Sequence, residues 1–184
     1  IKKLARQQCS DLPLFLHAEQ RYKTIMPEEL KTSLPIASLG NLVAQDYLAT
    51  GLSLKAHPVT ILEPYFLVDG WQPCSIAIDI MDGKKHQLIG LVTGRQMPGT
   101  AKGTVFLTLE AAHYSLNVIV WPAIVRAYRA ALLGSHLLGV SGRIQKQGKI
   151  IHLIADKLVN CDLYLQYLRT PELKMPILKS RNFH

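Results

Sequence analysis

The sequence predicts a mainly β protein, a small five-stranded barrel preceded by a short helical segment. Three observations carry that expectation. Between residues 104 and 121 two apolar runs alternate with a period of two, the signature of half-buried strands. A proline-led helical stretch follows from Pro122 and stops at Gly134. Two further alternating runs then flank Lys146-Gln147-Gly148, a short hairpin turn.

Taken in order, residues 1–33 are polar and turn-rich with no sustained period. Ser38 is an N-cap for a helix carrying Leu39, Leu42, Val43, Asp46 and Tyr47 at helical spacing, and Gly51 is its stop. A second helix is expected over residues 59–68 after His57-Pro58, closed by Asp69-Gly70. Residues 71–85 read as a connection into the sheet. From His86 the period becomes two. Residues 86–95 form the first barrel strand. Val105, Leu107 and Leu109 share one face of the second, opposite Thr104, Phe106, Thr108 and Glu110. Leu116, Val118 and Val120 share one face of the third, opposite Asn117, Ile119 and Trp121. A helix over AIVRAYRAALL precedes strands at 137–145 and 149–155, and Tyr128 on that helix is expected in the core. The order β-β-β-α-β-β is that of an OB-fold, a five-stranded Greek-key barrel. The expected organisation is a polar linker at 1–33, a helical connecting segment at 34–85, the OB-fold at 86–160 and a tail at 161–184. The tail starts helically over 162–168 and is broken by Pro171 and Pro176.

Composition narrows the function classes. No apolar run approaches the about 18 residues of a membrane span, and no signal peptide follows the basic start. The first residue is Ile, which points to a fragment or processed piece. Cys9, Cys74 and Cys161 are odd in number and far apart, which favours a reduced, cytoplasmic setting over disulfides or a zinc cluster. The net charge of +8 is uneven: residues 1–85 are neutral, with nine basic and nine acidic side chains, whereas residues 86–160 carry eight basic side chains against Glu110 and Asp156. Charge gathered on the barrel segment is the footprint of a polyanion-binding module.

An OB-fold closes its core with one face of each strand and leaves the outer face of strands two and three for ligand, flanked by the loop between strands one and two and the hairpin between four and five. Parity puts Phe106, Thr108 and Asn117 on that outer face, with Trp121 at the strand end. Phe106 would stack on a base; its alternative is packing under a neighbouring segment, and Trp121's alternative is capping the barrel. Loop 96–103 brings Arg95 at its edge and Lys102; hairpin 145–149 brings Lys146 and Lys149, and Arg143 also faces outward by parity. These cations would track phosphates and make binding salt-dependent.

The runs GLV-x-x-RQ-x-PGTAKG, VFLTLE, NVIVWP and LLGVSGRIQKQGKIIHLIADKL, with Tyr47-x-x-Thr-Gly-Leu-Ser-Leu-x-x-His-Pro upstream and Ser-Arg-Asn-Phe-His at the end, resemble the C-terminal region of an error-prone, DnaE-type DNA polymerase III alpha subunit of the ImuC-like branch. One run departs from the pattern: where that family places acidic residues and a glycine after VFLTLE, this chain has Ala111-Ala112-His113-Tyr114-Ser115. The resemblance implies a bacterial, cytoplasmic protein of translesion synthesis and DNA repair whose OB domain holds single-stranded template DNA. It also implies an upstream palm with metal-binding carboxylates and Mg2+ chemistry. No palm motif occurs in these residues, so no catalytic residue, metal site or cofactor is expected within them. The Asp79 and Asp82 pair reads as a solvated turn.

Ser10-Asp11-Leu12-Pro13-Leu14-Phe15 loosely resembles the clamp-binding peptides of polymerases, which bury a Leu and a Phe. Leu12, Leu14 and Phe15 would otherwise pin the N-terminal segment to the helices. Two alternatives to a DNA-binding module therefore stand beside it: an interaction module for a sliding clamp or an accessory damage-tolerance protein, and an RNA-binding OB domain like the anticodon domain of class II tRNA synthetases.

Overall fold

A computed structural model describes residues 36–169. The chain divides into two units, Ile1–Ile36 and Ala37–His184. The clamp-like segment with Leu12, Leu14 and Phe15 lies outside the described residues, as do residues 170–184.

Helix α1 (Leu39–Thr50) begins where the Ser38 hydroxyl accepts a hydrogen bond from the Asn41 N–H at 3.2 Å, and ends where Gly51 takes a left-handed conformation. Helix α2 (Pro58–Phe66) is shorter than expected, because residues 67–69 tighten into a 3-10 turn before Gly70. Its cap is His57, whose Nδ1 accepts from the Val59 N–H at 3.2 Å. Val59, Leu62 and Phe66 face the core at helical spacing. The connection after it holds a two-residue strand, β1 (Gln72–Pro73), and a 3-10 turn over Cys74–Ile78, neither legible as such in the sequence.

Five long strands follow: β2 (Lys85–Gln96), β3 (Val105–Ala111), β4 (Tyr114–Val120), β5 (Leu137–Gln147) and β6 (Ile150–Asn160). The sheet runs β1-β2-β3-β4-β6-β5, and β2 pairs with β5 to close the barrel. The closing β4–β6 pair is parallel and all other barrel pairs are antiparallel. This is the expected OB-fold barrel, with β1 added in parallel along β2. Leu107, Leu109, Leu116, Val118, Val120, Ile144 and Leu153 are almost fully buried inside it, each worth about 1.5–3 kcal/mol of burial.

Three departures from the sequence reading affect the site. The helix between β4 and β5 is two pieces, α3 (Pro122–Ala127) and α4 (Arg129–Gly134), because Tyr128 leaves the helical range at φ −118 and ψ 28 while its ring packs on the core. The β5–β6 turn is Gly148-Lys149 rather than a turn starting at Lys146, since Gln147 still pairs with Ile150. Gly148 has φ +61, the place a two-residue hairpin gives to glycine. The third is a bulge between Val92 and Gly94. A second bulge lies between Ser141 and Gly142, where a Cβ on Gly142 would come within 2.2 Å of the Ile154 carbonyl oxygen; only glycine lets the strands approach so closely there.

Candidate nucleic-acid interface

Side chains paired across a sheet point to the same face, so the register defines the barrel's outer surface residue by residue. Phe106 pairs with Gln96 on one side and Ile119 on the other; Ile119 pairs with Ile154, and Ile154 with Arg143. One outward row therefore runs Gln96, Phe106, Ile119, Ile154, Arg143. Its neighbour is Thr108, Asn117, His152, Gln145, on consecutive strand partners. The first row is apolar in the middle with a guanidinium at one end. The second is made entirely of polar hydrogen-bonding groups.

Phe106 is 39% exposed and Trp121 51% exposed, so neither packs away under another described segment. Trp121 lies two residues beyond Ile119, diagonal to Phe106 across the β3–β4 pair, and within reach of a shared ligand. Lys102 is exposed at φ 48, next to Gly103, whose Cβ position would touch Pro122 at 3.8 Å. The 96–103 loop and the Trp121-Pro122 corner thus meet at one end of the apolar row. Of the residues singled out in the sequence, Phe106, Thr108, Asn117, Trp121, Arg143 and Lys102 gather on this surface. Exposed Lys149 stands at the tip of the β5–β6 hairpin.

Two residues do not join them. The bulge at Val92 and Gly94 puts Arg95 in register with Leu107 rather than with the outward row, and Arg95 is exposed at the end of β2. Its guanidinium donates to the Leu132 carbonyl at 2.8 Å and to the Ser135 carbonyl, closing the C-terminal end of α4. Lys146 is likewise engaged: its Nζ donates to the Ile78 carbonyl at 2.7 Å and its backbone N–H to Asp82 at 2.8 Å. Asp82 is therefore a structural acceptor that holds the connection against β5. Periodicity carries no mark of a bulge or of a long-range latch, so the sequence alone does not distinguish these two cations from ligand contacts.

His152 and Gln145 also belong to this surface, though neither is a large aromatic or a fixed cation. The His152 Nδ1 is buried and has no hydrogen-bond partner among the described residues. Strand parity alone would have placed both residues.

At the other end of β3, Glu110 faces the helical segment. His57 Nε2 lies 3.7 Å from Glu110 Oε1, close enough for charge attraction but not for a hydrogen bond. Burial holds the His57 pKa below its usual value, opposed by Glu110 and reinforced by His113. Burial, then Glu110, raises that of Tyr47. Desolvation pushes the Cys74 thiol up to about 12 and the Cys161 thiol up to about 11, so neither is a thiolate nucleophile near neutral pH. Among the described residues no group of three or more His, Cys, Asp or Glu side chains is placed to hold a metal ion, and no helix is long and apolar enough to cross a membrane.

No protein-family model matches the chain. The error-prone DNA polymerase of Vibrio parahaemolyticus is 38% identical over 183 residues, covering 98% of this chain and 16% of that protein. The chain is a homologue of the error-prone DNA polymerases. Error-prone DNA polymerase 2 of Agrobacterium fabrum is 37% identical over 149 residues, and the error-prone DNA polymerase of Dechloromonas aromatica 40% over 159, covering 80% and 85% of this chain. The chain thus spans about one sixth of the length of the curated relatives it matches, 14–16%. The resemblance read from PGTAKG and NVIVWP is borne out: the chain corresponds to a segment of an error-prone polymerase. Among solved structures, asparaginyl-tRNA synthetase from Pyrococcus horikoshii is 20% identical over 42% of this chain and 20% of its own, with a TM-score of 0.37. A putative aspartyl-tRNA synthetase from Leishmania major reaches a TM-score of 0.40 at 11% identity, over 77% of this chain and 24% of its own.

Proposed function

We propose that this chain is the OB module from the C-terminal part of an error-prone DNA polymerase and that its outer surface on β3 and β4 holds single-stranded template during translesion synthesis. The carrying observation is uncovered Phe106 in a row that ends on Arg143, with uncovered Trp121 diagonal to it, within a segment of strong positive charge. Aromatic platforms bind any base through its π-face, and flanking cations follow the backbone. Thr108, Asn117, His152 and Gln145 supply hydrogen bonds beside the stack. Nucleotide transfer belongs to the upstream palm and its Mg2+ ions; these residues position the strand.

The test is a titration of the 184-residue chain with fluorescent oligo-dT at two salt concentrations. Affinity is expected to fall as salt rises, and Phe106→Ala to weaken binding by about 1–3 kcal/mol. Absence of binding at low salt, or an unchanged affinity in Phe106→Ala, would sink the reading. A tRNA affinity far above that for DNA of equal length would transfer it to RNA.

A further inference from the structure

A cavity of about 240 Å3 opens between the end of β2 and the helices α3 and α4. Its walls are apolar, with Met97, Val125 and Leu133, and two arginines, Arg95 and Arg129, are among the residues that line it. Met97 is 65% and Leu133 56% exposed, so the mouth is uncovered. Arg95 is bound by neutral carbonyls, which leave its charge uncancelled. Neither arginine meets a carboxylate within ion-pair distance among the described residues. Two uncompensated charges beside an apolar wall suit an anion that carries an apolar face. The volume falls short of the roughly 300–1,000 Å3 of a site for a whole small-molecule ligand. One unit of a polymer that continues outside fits better.

Gln96 shows where that polymer would continue. It lines the cavity and is also the cross-strand partner of Phe106 in the outward row, about 5 Å away. We infer that the cavity is a second subsite for the strand lying on Phe106. One nucleotide places its phosphate on Arg129 and its base or sugar against Met97, Val125 and Leu133. This rests on the nucleic-acid reading above. Arg129 is the contact residue; Arg95 adds field and holds the wall. A fork of guanidinium donors matches phosphate oxygens well.

The experiment compares Arg129→Gln with Arg126→Gln, an exposed arginine on α3 that does not line the cavity. Each is titrated with oligo-dT of about four and about twelve nucleotides, the range of site sizes of an OB fold. Arg129→Gln is expected to weaken the longer oligonucleotide about tenfold and to lower its salt slope by about 0.7. It should leave the shorter one unchanged, and Arg126→Gln should change neither. Equal losses in the two variants, equal losses on both lengths, or no loss from Arg129→Gln while Phe106→Ala still weakens binding would overturn the subsite. If Phe106→Ala has no effect, the outer-surface reading fails and the subsite with it. Coincident thermal unfolding of both glutamine variants with the parent separates these outcomes from misfolding.

Discussion

Ala112 carries a conformation that a side chain makes costly. It joins β3 to β4 in a two-residue turn, since Ala111 pairs with Tyr114, and its φ is +51. The left-handed region brings Cβ too near the following carbonyl, at about 1–2 kcal/mol for an L residue. Related polymerases were expected to have glycine in this turn, and the barrel closes here without it. Ala112→Gly relieves the clash but adds about 0.4–1 kcal/mol of unfolded-chain entropy. The expected net is a gain of about 0.5–1 kcal/mol, read as a higher urea midpoint at an unchanged slope. A lower midpoint would mean that the methyl group contributes packing that outweighs the strain. Because the turn is far from the Phe106 row in register, affinity for oligo-dT should not change with it.

The helical segment is tied to the barrel through a titratable cap. Nδ1 of His57 must be unprotonated to accept from Val59, so the neutral ring carries its hydrogen on Nε2, toward Glu110. The groups that face it are Tyr47 from α1, Glu110 from β3 and His113 from the β3–β4 turn. With the folded pKa below the unfolded value, the unfolded chain binds the proton more readily. The His57 contribution is therefore complete above about pH 6.5 and is lost as pH falls through the window below it. The loss cannot exceed about 1.4 kcal/mol per pH unit. His57→Asn keeps a capping side chain without the titration. Between pH 7 and 5 the thermal midpoint of the parent is expected to fall more steeply than that of His57→Asn; parallel curves would show that other groups set the acid response. Elements like this one were partly legible in the sequence. Ser38, Gly51, His57-Pro58 and Asp69-Gly70 announced both helices, because caps are local chemistry. The barrel strands were legible because each buries alternate residues. The break at Tyr128, the two-residue β1 and the bulge that shifts the register of Arg95 depend on packing between distant residues, and no local pattern encodes them.

At the scale of the whole molecule, the excess charge on residues 86–160 is not all presented on the outer face of β3 and β4. Arg95 is spent on helix carbonyls, and Lys146 on Ile78 and Asp82, which lie more than 60 positions earlier in the chain. Lys146 fastens the connection from β1 to the barrel, together with the Gly83 N–H, which donates to the Ile144 carbonyl at 2.9 Å. Lys149, three residues past Lys146, has no such engagement among the described residues and projects from the hairpin tip. The two lysines looked equivalent in the sequence, and the structure gives them different surroundings. Lys146→Met keeps the apolar stem and removes the donor, so it is expected to cost about 1 kcal/mol of stability. Its effect on the salt dependence of oligo-dT binding should be negligible. Lys149→Ala should leave stability unchanged within about 0.5 kcal/mol and, where the hairpin flanks the bound strand, lower the salt slope by about 0.7 for one lost phosphate contact. Paired denaturation and salt titrations read both quantities on the same preparations. If the two substitutions exchange these effects, the latch assignment is wrong and Lys146 belongs to the binding surface after all.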